Sequence, residues 1–446
     1  MQVTPSATNL LFVKIERAFS SIPDSTAVTS FVPTEGNVTP ASSASENSPK
    51  EDFFSEPKLA QDVLLPRKPQ QEEVHTSPPP PEVVYRVEMS ATQAGFWFIQ
   101  FYIQDQTVSN VTITYHVRGH LDSARFSRAL RTVAQSHEGL RTCFLADEDD
   151  PSERPWQGIM KKARVSWEHR QISGEDEIKK EQECMRRTIY NLAHGETMKV
   201  VLLSLSKTSH TLLIGYHHII LDGVGLQIFL KDLEQAYMGK TLQRPEQQYS
   251  EFSRNQLRAI SSGQLENIIE YWRKEHAKPP PCLPLLPVSK VSGRKTMETY
   301  KACPVQQRLD ARLVGMIKRV CRESHVTTSH FYLATFQALL ARLTKMDDIC
   351  IGLVDANRDA KSMSTVGLFL NMLPLRFKAS LSQDFGSMLR GTRDKVYSAL
   401  AHGGVPFDEL LKGMRYCVLT LGISDFMIAD SFMFTYSPWL SAVVRP

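Results

Sequence analysis

The chain has 446 residues, about three domains' worth at roughly 150 residues each, and its 42% hydrophobic and 22% charged content is that of a globular protein. The 52 Lys plus Arg against 48 Asp plus Glu leave a net charge of +4, too small and too scattered for a nucleic-acid binder. No run reaches the roughly 18 uninterrupted apolar residues of a membrane span, and the N-terminus lacks the apolar core and cleavage site of a secretory signal, so a soluble cytoplasmic protein is expected.

Residues 1–84 are rich in Ser, Thr, Pro and Glu and contain the run Pro78 to Pro81. Such a segment buries too little apolar surface to offset its ordering entropy, so it reads as a disordered leader or linker. From Val84 onward the pattern is mixed α/β. Asn110 to Val117 alternates with period two and places Val111, Ile113, Tyr115 and Val117 on one strand face. Asp122 or Ser123 then caps a helix with Phe126, Leu130, Val133 and Ala134 on one stripe. Residues 198–205 and 211–216 read as a hairpin across the polar turn SKTSH. A second α/β stretch, about 310 to 411, follows the Pro-rich connector Pro279 to Pro287. Two lobes follow, 85–260 and 261–446. The seven cysteines form no CxxC pair and no zinc-ligand spacing, so free thiols and no metal are expected.

The segment Tyr216 to Gly225, YHHIILDGVG, follows an apolar strand and precedes a helix with Leu226, Phe229, Leu230 and Leu233 on its apolar stripe. Adjacent side chains at a strand end point opposite ways. One of His217 and His218 therefore faces a cavity while the other packs inward, and Asp222-Gly223 makes a turn. The bland alternative is a buried His–Asp pair that satisfies a polar turn.

His217-His218-Ile219-Ile220-Leu221-Asp222-Gly223 resembles the HHxxxDG signature of condensation domains of nonribosomal peptide synthetases. Other blocks follow the family order. Ser90 to Trp97 resembles SxxQxxxW, and Ser136 to Phe144 resembles RHExLRTxF. Tyr249 to Phe252 resembles YxDF with Glu251 for Asp, and Tyr271-Trp272 sits at a similar pair. Gly352 to Arg358 resembles GxPxxxR, Val366 to Met372 resembles VGxFVNT, and His402 to Phe407 resembles HxxxPF. The wording is most like fungal polyketide–peptide hybrid synthases.

The resemblance implies two chloramphenicol-acetyltransferase-like lobes in a V around a central tunnel. It also implies amide formation between an acyl or polyketide thioester and an aminoacyl thioester. Both would ride on the phosphopantetheine of separate acyl-carrier and peptidyl-carrier domains or a polyketide synthase, with no cofactor bound directly. Heterocyclising and terminal cyclising relatives differ at the His217 position, and no epimerisation block is present, which leaves amide-forming condensation.

An amine is already a nucleophile, so no acyl-enzyme is needed, and no GxSxG motif is found. His218 is the candidate for proton handling or amine positioning, worth about 10²–10⁴-fold as a base. Alignment of two tethered substrates contributes as much as about 7–11 kcal/mol. The Gly223 amide is a candidate oxyanion donor. By analogy with the family, Asp222 is structural and pairs with Arg358 or Arg141, as opposed to orienting His218, and His217 bonds within the fold. Tyr249 and Asn371 are tunnel candidates, with packing as the equal alternative.

Asp384-Phe385-Gly386 resembles a kinase metal motif, but a helix N-cap is the better reading. The aromatic run Phe96, Trp97, Phe98, Phe101 and Tyr102 reads as a half-buried helix face. After Phe407 the match decays: only 39 residues follow, with a faint strand-like echo at 431–439, so a C-terminally incomplete second lobe is expected. Three functions remain: amide-forming condensation, an inactive or auxiliary partner of a hybrid synthase, and an acyltransferase to a free small alcohol or amine.

Overall fold

The computed structural model describes residues 79–102, 105–146, 155–281, 283–287, 289, 309–378 and 383–414. The leader up to residue 78 and the echo at 431–439 lie outside them. The first strand, β1 (Val83–Glu88), starts within the stretch assigned to the leader, held by antiparallel pairing with the strand Trp156–Met160 and a Lys161–Glu82 ion pair.

The elements follow in chain order as α1 (Ala91–Tyr102), β2 (Asn110–Arg118), α2 (Ser123–Ser136), β3 (Thr142–Leu145), β4 (Trp156–Met160) and β5 (Ser166–Gln171). Next come α3 (Glu175–Arg186), β6 (Met198–Ser206), β7 (Ser209–His217), α4 (Gly223–Tyr237), α5 (Tyr249–Ser261) and α6 (Glu266–Glu275). The last described elements are α7 (Ala311–Glu323), α8 (Thr328–Thr344), β8 (Asp348–Asp355), β9 (Asn371–Lys378), α9 (Phe385–Ala401) and α10 (Phe407–Gly413).

The main sheet has the order β2-β7-β6-β5, with β5 parallel and the others antiparallel. The hairpin β6–β7 turns where the sequence reading places it. Strand alternation feeds two layers, since successive side chains take opposite faces. Tyr115, Val117, Val200, Leu202, Leu212 and Ile214 pack with Phe126 and Leu130 of α2 and Phe229 and Leu233 of α4. The opposite-facing Val201, Leu203 and Leu213 pack against Met185 of α3. Asp122, the expected cap, accepts a hydrogen bond from the Arg125 N–H at 2.9 Å. Val111 and Ile113 are half-buried against the same core.

A second core gathers Trp272 of α6, Ile349 and Ile351 of β8, Leu373 and Leu375 of β9, and Leu410 of α10. Asp384 caps α9 through the Ser387 N–H at 2.9 Å, so the DFG triplet is a helix start. In α1, Phe96 and Trp97 are half-buried and Phe98 is exposed. The side chains of Phe101 and Tyr102 lie outside the described residues.

The connector between β8 and β9 carries the seam between the two cores. Val366 lies in the first core, Leu368 and Phe369 pack with Tyr249, and Leu373 and Leu375 of β9 belong to the second core. Two glycines permit this approach. A Cβ on Gly139 would stand 2.7 Å from the Val366 carbonyl, and one on Gly367 would stand 2.0 Å from the Tyr249 ring.

Candidate active site at the lobe seam

Strand β7 ends at His217, and His218–Ile220 form a single 3-10 turn before Asp222 caps α4. The His217 N–H donates to the Thr197 carbonyl at 3.0 Å and the His218 N–H to the Ser109 carbonyl at 2.9 Å. The two imidazoles therefore leave the strand end on different sides. His217 is 1% exposed; its Nδ1 accepts from the Ile219 N–H at 3.2 Å, which puts the ring proton on Nε2. Burial, with the neighbouring His218 as a smaller cause, pushes its pKa down to about 3.

That depression has a pH signature. The folded state keeps His217 neutral, while the unfolded chain takes up a proton near pH 6.5. The contribution is complete above about pH 6.5 and is lost as pH falls toward about 3. His217→Gln is expected to flatten the fall in denaturant midpoint across this window relative to wild type. An unchanged acid slope would show that His217 does not supply it.

His218 is half-buried. Among the described residues its Nδ1 is buried without a hydrogen-bond partner, whereas Nε2 is not among the enclosed unpartnered atoms. Its ring stands 5.2 Å from that of Phe96 and 6.4 Å, edge-on, from that of Tyr216. Gly223, at the first turn of α4, faces open space: a Cβ there would meet no atom within 4 Å.

Asp222 does not touch His218. Its Oδ1 accepts from the Gly225 N–H at 2.7 Å and from Arg358 Nη2 at 2.8 Å, and its Oδ2 accepts from the Phe369 N–H at 2.9 Å. Its own N–H donates to the Gly367 carbonyl at 3.1 Å. Arg358 Nη1 donates to the carbonyls of Ser362 and Thr365 at 2.7 and 2.8 Å. Its guanidinium lies 4.1 Å above the Phe369 ring. The pair is buried, at 2% and 4% side-chain exposure, and hydrogen bonds engage both carboxylate oxygens and both terminal guanidinium nitrogens, while Arg358 Nε has no partner among the described residues. Asp222 thus clamps the HHxxxDG turn to the second lobe.

Arg141, the alternative partner of Asp222, is corrected by the structure. It donates to the Met160 carbonyl at 2.6 Å and the Gln135 carbonyl at 3.3 Å and lies 3.7 Å from Glu138. It sits on the 3-10 turn Glu138–Arg141, where its reach ends within its own lobe. Tyr249, a tunnel candidate, is 1% exposed; its hydroxyl donates to the Leu368 carbonyl at 2.5 Å and meets Ser90 Oγ at 2.8 Å. Asn371, 3% exposed, donates to the carbonyls of Gly403 and Val405 and accepts from the Phe407 N–H at 3.1 Å. Both are packing residues, because every polar atom is spent on backbone or a buried neighbour. His402 stacks on Tyr271 with centroids 3.8 Å apart, and its carbonyl accepts from Trp272 Nε1 at 2.9 Å. The sequence reading missed Phe96 as a neighbour of His218; its place six residues after Ser90 in the opening block was the available signal.

An α/β protein whose HHxxxDG turn is pinned across two cores has the architecture of a condensation domain, and the known proteins agree. The condensation-domain family matches residues 85–416, and the chain belongs to it. Among its relatives are the hybrid PKS-NRPS synthetase gkaA of Penicillium citrinum, 39% identical over 338 residues, and the polyketide synthase-nonribosomal peptide synthetase ffsA of Aspergillus flavipes, 42% identical over 326. These alignments cover 76% and 72% of this chain, which spans about 8% of the length of either synthetase. The condensation domain from the monacolin K polyketide synthase MokA superposes with a TM-score of 0.69 at 29% identity, covering 76% of this chain and 78% of that one. The first condensation domain of the calcium-dependent antibiotic synthetase shares the fold at 20% identity, with a TM-score of 0.63 over 74% of this chain and 78% of that one. Among the described residues no helix is long and apolar enough to cross a membrane.

Proposed function

We propose that this chain joins a carrier-bound acyl or polyketide thioester to a carrier-bound aminoacyl thioester through an amide bond. The lobes are assigned to 85–260 and 261–446. The observation that carries the reading is the division of labour in the motif: Asp222 is committed to the seam, while His218 Nε2 is not among the enclosed unpartnered atoms and Gly223, at the start of α4, faces open space. The amine attacks the thioester carbonyl, forming C–N, and His218 accepts a hydrogen bond or proton from the attacking nitrogen. The oxyanion develops near the N-terminus of α4, where backbone N–H groups stabilise negative charge. Its collapse breaks C–S, and the departing sulfur takes up the proton removed from nitrogen. Both substrates would be delivered on the phosphopantetheine arms of acyl-carrier and peptidyl-carrier partners, and the protein itself contributes orientation and proton handling.

Mixing the chain with an acyl-loaded carrier and an aminoacyl-loaded carrier is expected to transfer the acyl group onto the aminoacyl carrier, read as a mass gain on that carrier. Equal turnover with a free amine or alcohol would replace this reading with free-acceptor acyl transfer. A folded protein that forms no amide would replace it with an auxiliary role.

A further inference from the structure

We infer that Phe96 is the positioning residue for His218, setting its imidazole by ring contact where a hydrogen-bonded carboxylate would otherwise do so. The inference rests on His218 acting as proposed above. The alternative orienter is accounted for: both oxygens of Asp222 are engaged by Gly225, Arg358 and Phe369. His218 Nδ1 has no hydrogen-bond partner among the described residues. What fixes the ring is therefore its backbone N–H bond to Ser109 and its aromatic neighbours, of which Phe96 is the nearer, at 5.2 Å and an interplanar angle of 31°.

Phe96 is itself well anchored. It packs on the first core and also on the cluster in which Leu368 and Phe369 of the second lobe meet Tyr249 of the first. Helix α1 is pinned at its start, where Ser90 Oγ meets the Tyr249 hydroxyl at 2.8 Å, and Gln93 Nε2 reaches the Ile219 carbonyl at 3.5 Å. Phe369 is also the ring beneath Arg358. One continuous packed path thus runs from the Asp222–Arg358 clamp through Phe369 and Tyr249 to Phe96 and the imidazole, and a shift of the second lobe is felt at His218 by contact.

The test pairs turnover with a readout that needs no substrate. In protein labelled with ¹³C at histidine Cε1, the His218 resonance is assigned by its loss in His218→Ala. Phe96→Ala is expected to move that resonance by removing the ring current. It should also lower kcat by roughly 10- to 100-fold at little change in KM, within the ~10²-fold that a 1 Å misplacement costs. Phe96→Leu keeps the volume without the ring and is expected to shift the resonance similarly while remaining folded. Phe96→Tyr should restore both resonance and kcat. The inference is overturned if Phe96→Leu leaves the NOE contacts between His218 and the Tyr216 ring unchanged, or if kcat falls only in step with lost folded protein. If wild type forms no amide, the proposed function fails, and the NOE contacts from His218 to the Tyr216 ring, which Phe96→Leu alters only if the imidazole turns, still decide whether Phe96 holds the ring.

Discussion

Asp222→Ala is expected to destabilise the protein by about 3–5 kcal/mol, the cost of leaving a buried guanidinium without its partner. The size follows from what the carboxylate does. It caps α4 through Gly225, holds the Phe369 N–H and neutralises Arg358 at 2% side-chain exposure. Cap loss alone costs about 1 kcal/mol, so most of the effect belongs to the stranded charge. The double variant Asp222→Ala/Arg358→Met should therefore recover part of the loss, because the two changes share one network. Thermal unfolding with soluble yield measures this, and Asp222→Asn should also lose stability. A Tm unchanged in Asp222→Asn alongside lost activity would move Asp222 from the seam to the chemistry.

His218→Ala behaves in the opposite way, with turnover reduced about 10²–10⁴-fold and Tm close to wild type. The ring is half-buried and makes no side-chain hydrogen bond among the described residues, so its removal strands no buried partner among them. The residual rate reflects alignment of two tethered substrates, which is worth as much as about 7–11 kcal/mol and does not depend on the imidazole. A kcat within a few-fold of wild type would leave His218 without a role in the step.

Much of this arrangement was readable along the chain because local signals and packing agree. The period-two alternation of Asn110 to Val117 is the alternation of β2, and Asp122 and Asp384 cap the helices that follow them. The opposed directions of His217 and His218 follow from their place at a strand end. What could not be read is choice among distant partners. Arg141 and Arg358 are equivalent as sequence; the chain path from β8 brings only the second to Asp222, across 136 positions. For Tyr249 and Asn371 tunnel lining and packing were equal choices, because nothing local reveals the carbonyls of Leu368, Gly403 and Val405 that consume their hydrogen bonds. Phe96 was hidden in an aromatic run, of which Phe96 and Trp97 are half-buried and Phe98 is exposed. Gly139 and Gly367 stood in the motifs, but the need for glycine appears only when Val366 and Tyr249 arrive at van der Waals distance.

The most direct test is a single-turnover reaction between the acyl-loaded and aminoacyl-loaded carriers, run in parallel with wild type and His218→Ala and read by the intact mass of the acceptor carrier. The account predicts rapid acyl transfer onto the amine with wild type and slow transfer with the equally folded variant. Equal transfer by both, or none by either, would contradict it.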